Sequence, residues 1–499
     1  MRTATGRFMI RWGLVACAII ATGACAAKPK PAPEAKPLET VLTLAASCAV
    51  PFRDNAVLQQ QMPLPVWGTS LPGAKVTVTF DGQDKTATAD KQGRWRVVLE
   101  TMDAVKLKSV NDCPAGKTMT IVCAKDGEEA VSAITNLVMG DVWLCAGQSN
   151  MAGRMKRAGH PKNYPTNSVV TAHYPALRRL DVSENKWQIC SPETAVHISR
   201  VAFFFARRVQ REALVPMGLM VTAVGGSNIE SWLNQPPYAT GGNYTRLLSP
   251  LVGYGIRGAI WYQGESNEKD GRGYQPKLES LITGWRKVWK QPPSSDSGVP
   301  GADFPVHFVQ LPGIGQSTLE YPAGGDGRAE IRQAYFETLA LKNTGMAVTI
   351  DIGAPGEHPP NKYDTGVRLA RSVLQKEYGF KDITACPLYT GHKIKGNTIR
   401  VSFDNAQNGL MIAKKEGFLP PTPTPDAKLQ WLAIQAKDGT WHWADGKIDG
   451  SELVVSSKDV KEPIAARYAY TRHPCGNLLY NKDGQPVGPF STNGYGTKE

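Results

Sequence analysis

DVWLCAGQSNM, residues 141–151, is the stretch on which the reading of this chain turns. Val142 to Ala146 make an apolar run the length of one buried strand, Gly147 interrupts it, and Ser149 stands just past its end. In an open parallel sheet the carboxyl ends of the strands line the ligand crevice. Glycine before the turn lets the backbone bend sharply and exposes the Ser149 hydroxyl, whose oxygen becomes a useful nucleophile only beside a base.

Working outward, the same pattern recurs. A strand-like run at 219–224 ends in Gly225-Gly226-Ser227, and another at 259–262 ends in Gln263-Gly264-Glu265-Ser266-Asn267. Further runs follow at 306–311 and 346–352, the second leading to Gly356-Glu357-His358-Pro359. Helix-period stripes lie between them: Val201, Phe204, Phe205 and Val209, then Tyr274, Leu278, Leu281, Ile282, Trp285, Val288 and Trp289. Strand and helix in alternation imply a parallel α/β sheet with covered faces.

Outside this region the rhythm differs. Val76, Val78 and Phe80 alternate up to Asp81-Gly82, and Trp95, Val97 and Leu99 alternate after the break at 90–93, which implies a small N-terminal β-sandwich. Beyond residue 385 short strands return, at 399–403, 429–433 and 453–455, with PPTPTP at 420–425 marking a long loop. KPKPAPEAKP at 28–37 reads as an extended tether. The expected division is an export signal over 1–26, a Pro-rich linker over 27–40, the β-sandwich over 41–135, the catalytic domain over 136–385 and a β-rich region over 386–499.

Single cores stop growing at roughly 250–300 residues, so 499 residues demand more than one. A 41% hydrophobic and 20% charged composition is that of a globular chain. The net charge of +13 comes from scattered lysines and arginines with no basic block or aromatic-interleaved stripe, which argues against nucleic-acid binding. Arg2, Arg7 and Arg11, the apolar run from Trp12 to Ala21 and Ala24-Cys25-Ala26 have the layout of a secretory signal peptide. That run is too short for a spanning helix, and no later segment supplies one, so no integral membrane span is expected. Periplasmic or secreted export follows, with lipid anchoring through Cys25 as the alternative, although Thr22 stands where a lipoprotein signal usually has Leu. After cleavage seven cysteines remain, Cys48, Cys113, Cys123, Cys145, Cys190, Cys386 and Cys475. In an oxidising compartment Cys113 and Cys123 could staple a local loop.

Three strand ends thus deliver glycines and side-chain amides to one edge. Backbone N–H groups beside glycine and a side-chain amide are what an oxyanion hole requires. His358, one of eight histidines, follows a strand end in a Gly/Pro-rich loop, the place for a general base. No Cys/His cluster has zinc-ligand spacing.

GQSNM, GGSNIESW, WYQGESN and HPPNK followed by GVRLA resemble the sialate O-acetylesterases, a group of SGNH-type hydrolases. VLQQQMPLPVWG at 57–68, GRW at 93–95 and ARYAYTRHPCGNLLYNKDGQPVGPF near the other end resemble the same family, so the likeness spans roughly 45–490. The resemblance implies an SGNH-hydrolase, flavodoxin-like, three-layer catalytic domain with an O-acetylated glycan, sialic acid first, as substrate. It implies Ser149 as nucleophile, His358 as base, and Gly226 with Gln263 as oxyanion donors beside the Ser149 N–H, with Asn267 a weaker candidate. No metal or organic cofactor is implied. Many relatives place Asp two or three residues before the catalytic histidine, where this chain has Pro355 and Gly356. Asp351, Glu357 and Glu265 therefore compete for the orienting acid, and Glu265 is preferred, since the related acetylxylan esterases resemble this chain in having a glutamate there that serves the histidine. Acetylated xylan or another glycan is the rival substrate, and a noncatalytic glycan-binding protein the rival class; oligomeric state lies outside the sequence.

Overall fold

The strand Glu128–Gly147 has two characters. Up to Asn136 its residues mostly alternate between exposed and partly buried, and from Leu137 onward every one is buried. The first half pairs antiparallel with Lys117–Lys125 and keeps one face in water, whereas the second is the centre of a parallel sheet, where burial on both faces calls for a continuous apolar run. The computed structural model describes residues 43–155, 171–292, 301–316 and 321–494, so the expected export signal and Pro-rich linker lie outside the described residues.

The central sheet runs in the order Lys186–Cys190, Tyr174–Asp181, Met217–Ala223, Glu128–Gly147, Gly258–Tyr262, Val306–Val309, Thr344–Ala347. Every neighbour pair on this path is parallel except the first, an antiparallel hairpin at the edge that periodicity had not indicated. The run expected over 346–352 ends as a strand at Ala347 and turns into a short 3₁₀ segment, Ile350–Ile352. There the Thr349 hydroxyl donates to the Gln310 carbonyl in place of a further ladder bond.

Both apolar stripes fall on helices, Arg200–Ala213 and Tyr274–Trp289. Arg200–Ala213 packs on the helix Lys362–Glu377. Gly366 is why they can approach, since a Cβ there would lie 2.7 Å from the Val201 carbonyl oxygen and 2.9 Å from Phe204 Cβ. Tyr274–Trp289 packs on Gly327–Thr338.

The N-terminal region forms two antiparallel groupings. Leu64–Thr69 pairs with Arg94–Leu99, and Lys75–Phe80 pairs with Gln83–Thr88 and Lys117–Lys125, burying Val76, Val78, Phe80, Trp95, Val97 and Leu99 as the alternation required. The Asp81-Gly82 turn has positive φ at both residues, the geometry of a tight hairpin. Cys113 and Cys123 do not meet: the Cys113 thiol faces the Pro175 carbonyl and the Arg178 guanidinium, while Cys123 is buried within a strand.

This region is tied to the central sheet through Asp141, fully buried, whose carboxylate accepts from Gln59 and Gln60 (3.1 Å each) and from Tyr378 (2.7 Å) and pairs with Arg257. Beyond the helix Lys362–Glu377 the described residues form three small antiparallel sheets. The strand expected over 429–433 is displaced to Leu432–Ala436, because Trp431 takes a left-handed φ of 62° that no strand accommodates. The described residues form one compact unit. No helix among the described residues is long and apolar enough to cross a membrane.

Candidate active site

Parallel register brings the three glycine-bearing loops level. Gly147 is paired with Ala223 on one side and Tyr262 on the other, so GQSN, GGSN and QGESN leave the sheet at one edge. Gly147 has a φ of 143°, and a Cβ there would lie 2.1 Å from the Tyr262 carbonyl oxygen, so the turn demands glycine. Ser149 opens the short helix Ser149–Ala152, where a first-turn N–H has no helical partner. Gly225 lies against it, since a Cβ there would be 3.7 Å from Ser149 Cβ.

His358 Nε2 lies 2.8 Å from Ser149 Oγ, although the two are 209 residues apart in the chain. The carbonyls on either side of His358 are both held. Asn150 Nδ2 donates to the Glu357 carbonyl at 2.9 Å, and Lys362 Nζ donates to the Pro359 carbonyl. Asn361 then caps the following helix by accepting from the Asp364 N–H at 3.0 Å. HPPNK thus ends in a helix start that fixes the loop bearing the histidine.

Of the three competing acids, none hydrogen-bonds the other ring nitrogen of His358 among the described residues. Asp351 forms a two-pronged ion pair with Arg368, at 2.5 and 2.8 Å, and accepts from Tyr480 at 3.0 Å. Glu357 is exposed, and it is its backbone carbonyl that is engaged. Glu265, expected to serve the histidine directly, is buried and accepts instead from Asn150 Nδ2 at 2.5 Å. The same Asn150 amide group therefore links the Glu265 carboxylate to the loop of His358. Glu265 Oε2 and Asn150 Oδ1 are buried without a partner among the described residues.

Because the Asp351–Arg368 pair is buried, breaking it leaves an uncompensated charge. Asp351→Asn is expected to lower folding stability by about 3–5 kcal/mol in chemical denaturation. A large loss of kcat at unchanged stability would return Asp351 to the reacting groups.

The expected oxyanion donors are placed unevenly. Gly226 sits in the exposed GGSN turn with a φ of 71°, and its N–H makes no backbone hydrogen bond among the described residues; nor does that of Ser149. Gln263 is buried and committed: Nε2 donates to Ser227 O at 3.2 Å and to Asn267 Oδ1 at 2.7 Å, while Oε1 accepts from Tyr274 at 2.7 Å. Tyr335 donates to the Gln263 backbone carbonyl. Burial pushes both phenols well above their usual pKa, so they remain protonated donors that fix the amide's orientation. Asn267 is equally occupied, accepting from the Ile229 N–H and donating to Glu230 and Asp270, which share Lys277. With both amides spent on internal bonds, Gln263 and Asn267 brace the GGSN turn in this structure.

Sequence reasoning missed Asn150, Tyr274 and Tyr335. Asn150 stood beside Ser149 in GQSN, but its role depends on partners far along the chain; Tyr274 showed only as part of an apolar stripe, and Tyr335 gave no signal. No group of His, Cys, Asp and Glu among the described residues is arranged to hold a metal ion.

Residues 139–295 match the family model of the carbohydrate esterases described as sialic acid-specific acetylesterase, a span that holds Ser149, Gly226, Gln263 and Glu265 but stops short of His358. The sialate O-acetylesterase of Homo sapiens is 26% identical, covering 91% of this chain and 95% of its own. That of Mus musculus is 25% identical over 85% and 89%. The crystal structure of a carbohydrate acetylesterase from Xanthomonas citri superposes with a TM-score of 0.75 at 28% identity, covering 90% of this chain and 99% of its own. The resemblance drawn from the motifs is borne out, and the chain is an esterase hydrolase of mixed α/β architecture with several sheets.

Proposed function

We propose that this esterase hydrolyses O-acetyl esters of sialic acid through an acetyl-enzyme on Ser149. The observation that carries the reading is the 2.8 Å contact between His358 Nε2 and Ser149 Oγ at the edge where three parallel strands end. In this scheme Ser149 Oγ attacks the acetyl carbonyl as His358 Nε2 takes its proton. Negative charge on the carbonyl oxygen falls to the N–H groups of Ser149 and Gly226. His358 then protonates the departing sugar oxygen, leaving the acetyl group on Ser149. Water, deprotonated by His358, attacks that ester, and His358 returns the proton to Ser149 Oγ as the acyl bond breaks and acetate leaves. Glu265 acts as a positioning residue through Asn150. No step calls for a metal, and activity is expected to survive excess chelator.

The sugar is supported by the family description and by the curated relatives. Another acetylated glycan is the second reading, favoured by the likeness to the Xanthomonas citri enzyme. A groove of about 830 Å³ beside the His358 loop, lined by Gly353, Pro360, Asn361, Tyr363, Lys415 and Phe418, has room for more than an acetyl group. Acetate release from O-acetyl sialic acids, acetylated xylan and acetylated xyloglucan, compared at equal ester concentration, tests the choice. The highest kcat/KM is expected on the sialic acids, and a higher value on either neutral polymer overturns that assignment.

Gln263→Ala tests the oxyanion assignment. With both amide hydrogens used internally, a loss of only about tenfold in kcat is expected, against the roughly 10²–10³ that follows removal of a true oxyanion donor.

The three-layer SGNH arrangement is supported by the separate pairing of Arg200–Ala213 with Lys362–Glu377 and of Tyr274–Trp289 with Gly327–Thr338. Export is supported by the arginine-led apolar run before Ala26. N-terminal sequencing of the mature protein tests it: a chain beginning at Ala27 is expected, and one that begins at Met1 overturns it.

A further inference from the structure

A pocket in the C-terminal β-region points to a second carbohydrate site, and we propose that it binds a neutral pyranose unit of a glycan chain. The pocket is about 540 Å³, and Leu429, Gln430, Trp431, Trp443, Asn477 and Lys428 line it. Its volume lies within the range of small-molecule sites. The indoles of Trp431 and Trp443 meet edge to face, with ring centroids 6.4 Å apart. Trp431 is clamped: its Nε1 donates to the Cys475 carbonyl at 2.6 Å, and its own carbonyl accepts from the Ala469 N–H at 2.8 Å. A bulky residue in the left-handed region persists only when its surroundings hold it there.

Two amides at the pocket are oriented in the same way. Gln430 Oε1 accepts from the Asn477 N–H at 2.7 Å, and Asn477 Oδ1 accepts from Thr424 Oγ1 at 3.1 Å. Each amide thus has its oxygen anchored and its NH₂ unpaired among the described residues. Gly476 makes room for this, since a Cβ there would lie 2.0 Å from Gln430 Oε1. A pyranose has an apolar C–H face and a rim of hydroxyls, so the half-buried Trp443 indole, backed by the buried Trp431, and the free amide donors are its complement. At the exposed rim Lys428 stands beside Asp445 at 2.6 Å, so the rim presents both signs of charge rather than a cation alone.

The pocket also connects with the esterase edge. The segment that accepts the Trp431 bond continues back through His473, which contacts the Gly315 carbonyl, to Arg472, which pairs with Glu268 just past QGESN. A glycan held here would be tethered to the body that carries Ser149. The inference rests on a glycan substrate, and on neither the acetyl position nor the triad.

Tryptophan fluorescence titration of the full chain with xylohexaose, cellohexaose and sialyllactose tests it. Saturable binding of at least one neutral oligosaccharide is expected, weakened about tenfold or more in Trp443→Ala and in Gln430→Glu, with turnover of a chromogenic acetyl ester unchanged. Gln430→Glu keeps the oxygen that meets Asn477 and loses the NH₂, so it decides the matter if Trp443→Ala misfolds. Equal affinity for the neutral oligosaccharides in wild type and Gln430→Glu, no saturable signal from them, or a loss in Gln430→Glu that is larger for sialyllactose than for them overturns the proposal. Ester turnover in wild type and Ser149→Ala reports on the esterase reading separately.

Discussion

Ser149→Ala and His358→Ala are each expected to lower kcat by about 10⁶-fold, with the double variant no slower than either single one. The two side chains act as one unit: without the imidazole the Ser149 hydroxyl keeps its proton, and without the hydroxyl the imidazole has nothing to activate. Their contact at 2.8 Å is already the geometry of proton transfer. Neither change should disturb folding, since His358 is exposed and Ser149 only partly buried. The check is acetate release at saturating substrate, with circular dichroism to establish the native fold. Near wild-type kcat in either variant, or a double variant far slower than both, would sink the mechanism.

The second large effect is expected where structure and motif part company. Glu265→Ala and Asn150→Ala should each lower kcat by about 10²-fold, the scale of a misplacement of roughly 1 Å at a reacting group. Together they should do little more, because both break one chain of contacts from the carboxylate through the Asn150 amide to the Glu357 carbonyl. Glu265→Gln keeps an acceptor oxygen for Asn150 and should lose only about tenfold in kcat. Were Glu265 to bond His358 directly during turnover, Glu265→Gln would instead lose about 10³–10⁴, as removal of a triad acid does, and Asn150→Ala would be comparatively spared. The order of the three variants in single-turnover kinetics settles which arrangement operates.

Much of the fold was legible because its signals are local. The alternation of Val76, Val78 and Phe80, the stripe from Tyr274 to Trp289 and the glycines after 146, 224 and 263 each report on a few consecutive residues. The edge hairpin of Tyr174–Asp181 and Lys186–Cys190 was not legible, since Arg178, Arg179 and Asp181 are buried charges there. An ion pair at 2.7 Å between Arg179 and Asp181, and backbone carbonyls around Arg178, satisfy them, and those partners belong to the tertiary fold. The strand end at Ala347 and the displaced strand at Leu432–Ala436 were missed for the same reason: a Thr349 side chain and a left-handed Trp431 override the apolar run.

By itself the sequence determined that strand ends would carry GQSN, GGSN and QGESN to one edge, and it singled out Ser149 and His358, because apolar runs and glycine stops are written residue by residue. Only the tertiary structure decided what the remaining polar groups do. It turned Asp351 to Arg368, gave Gln263 and Asn267 to each other, and made Asn150 the link between Glu265 and the histidine loop. A carboxylate or amide takes whichever donors and acceptors the folded chain sets within about 3 Å of it. For Asn150 those partners stand 115 and 207 residues away, beyond the reach of any local pattern.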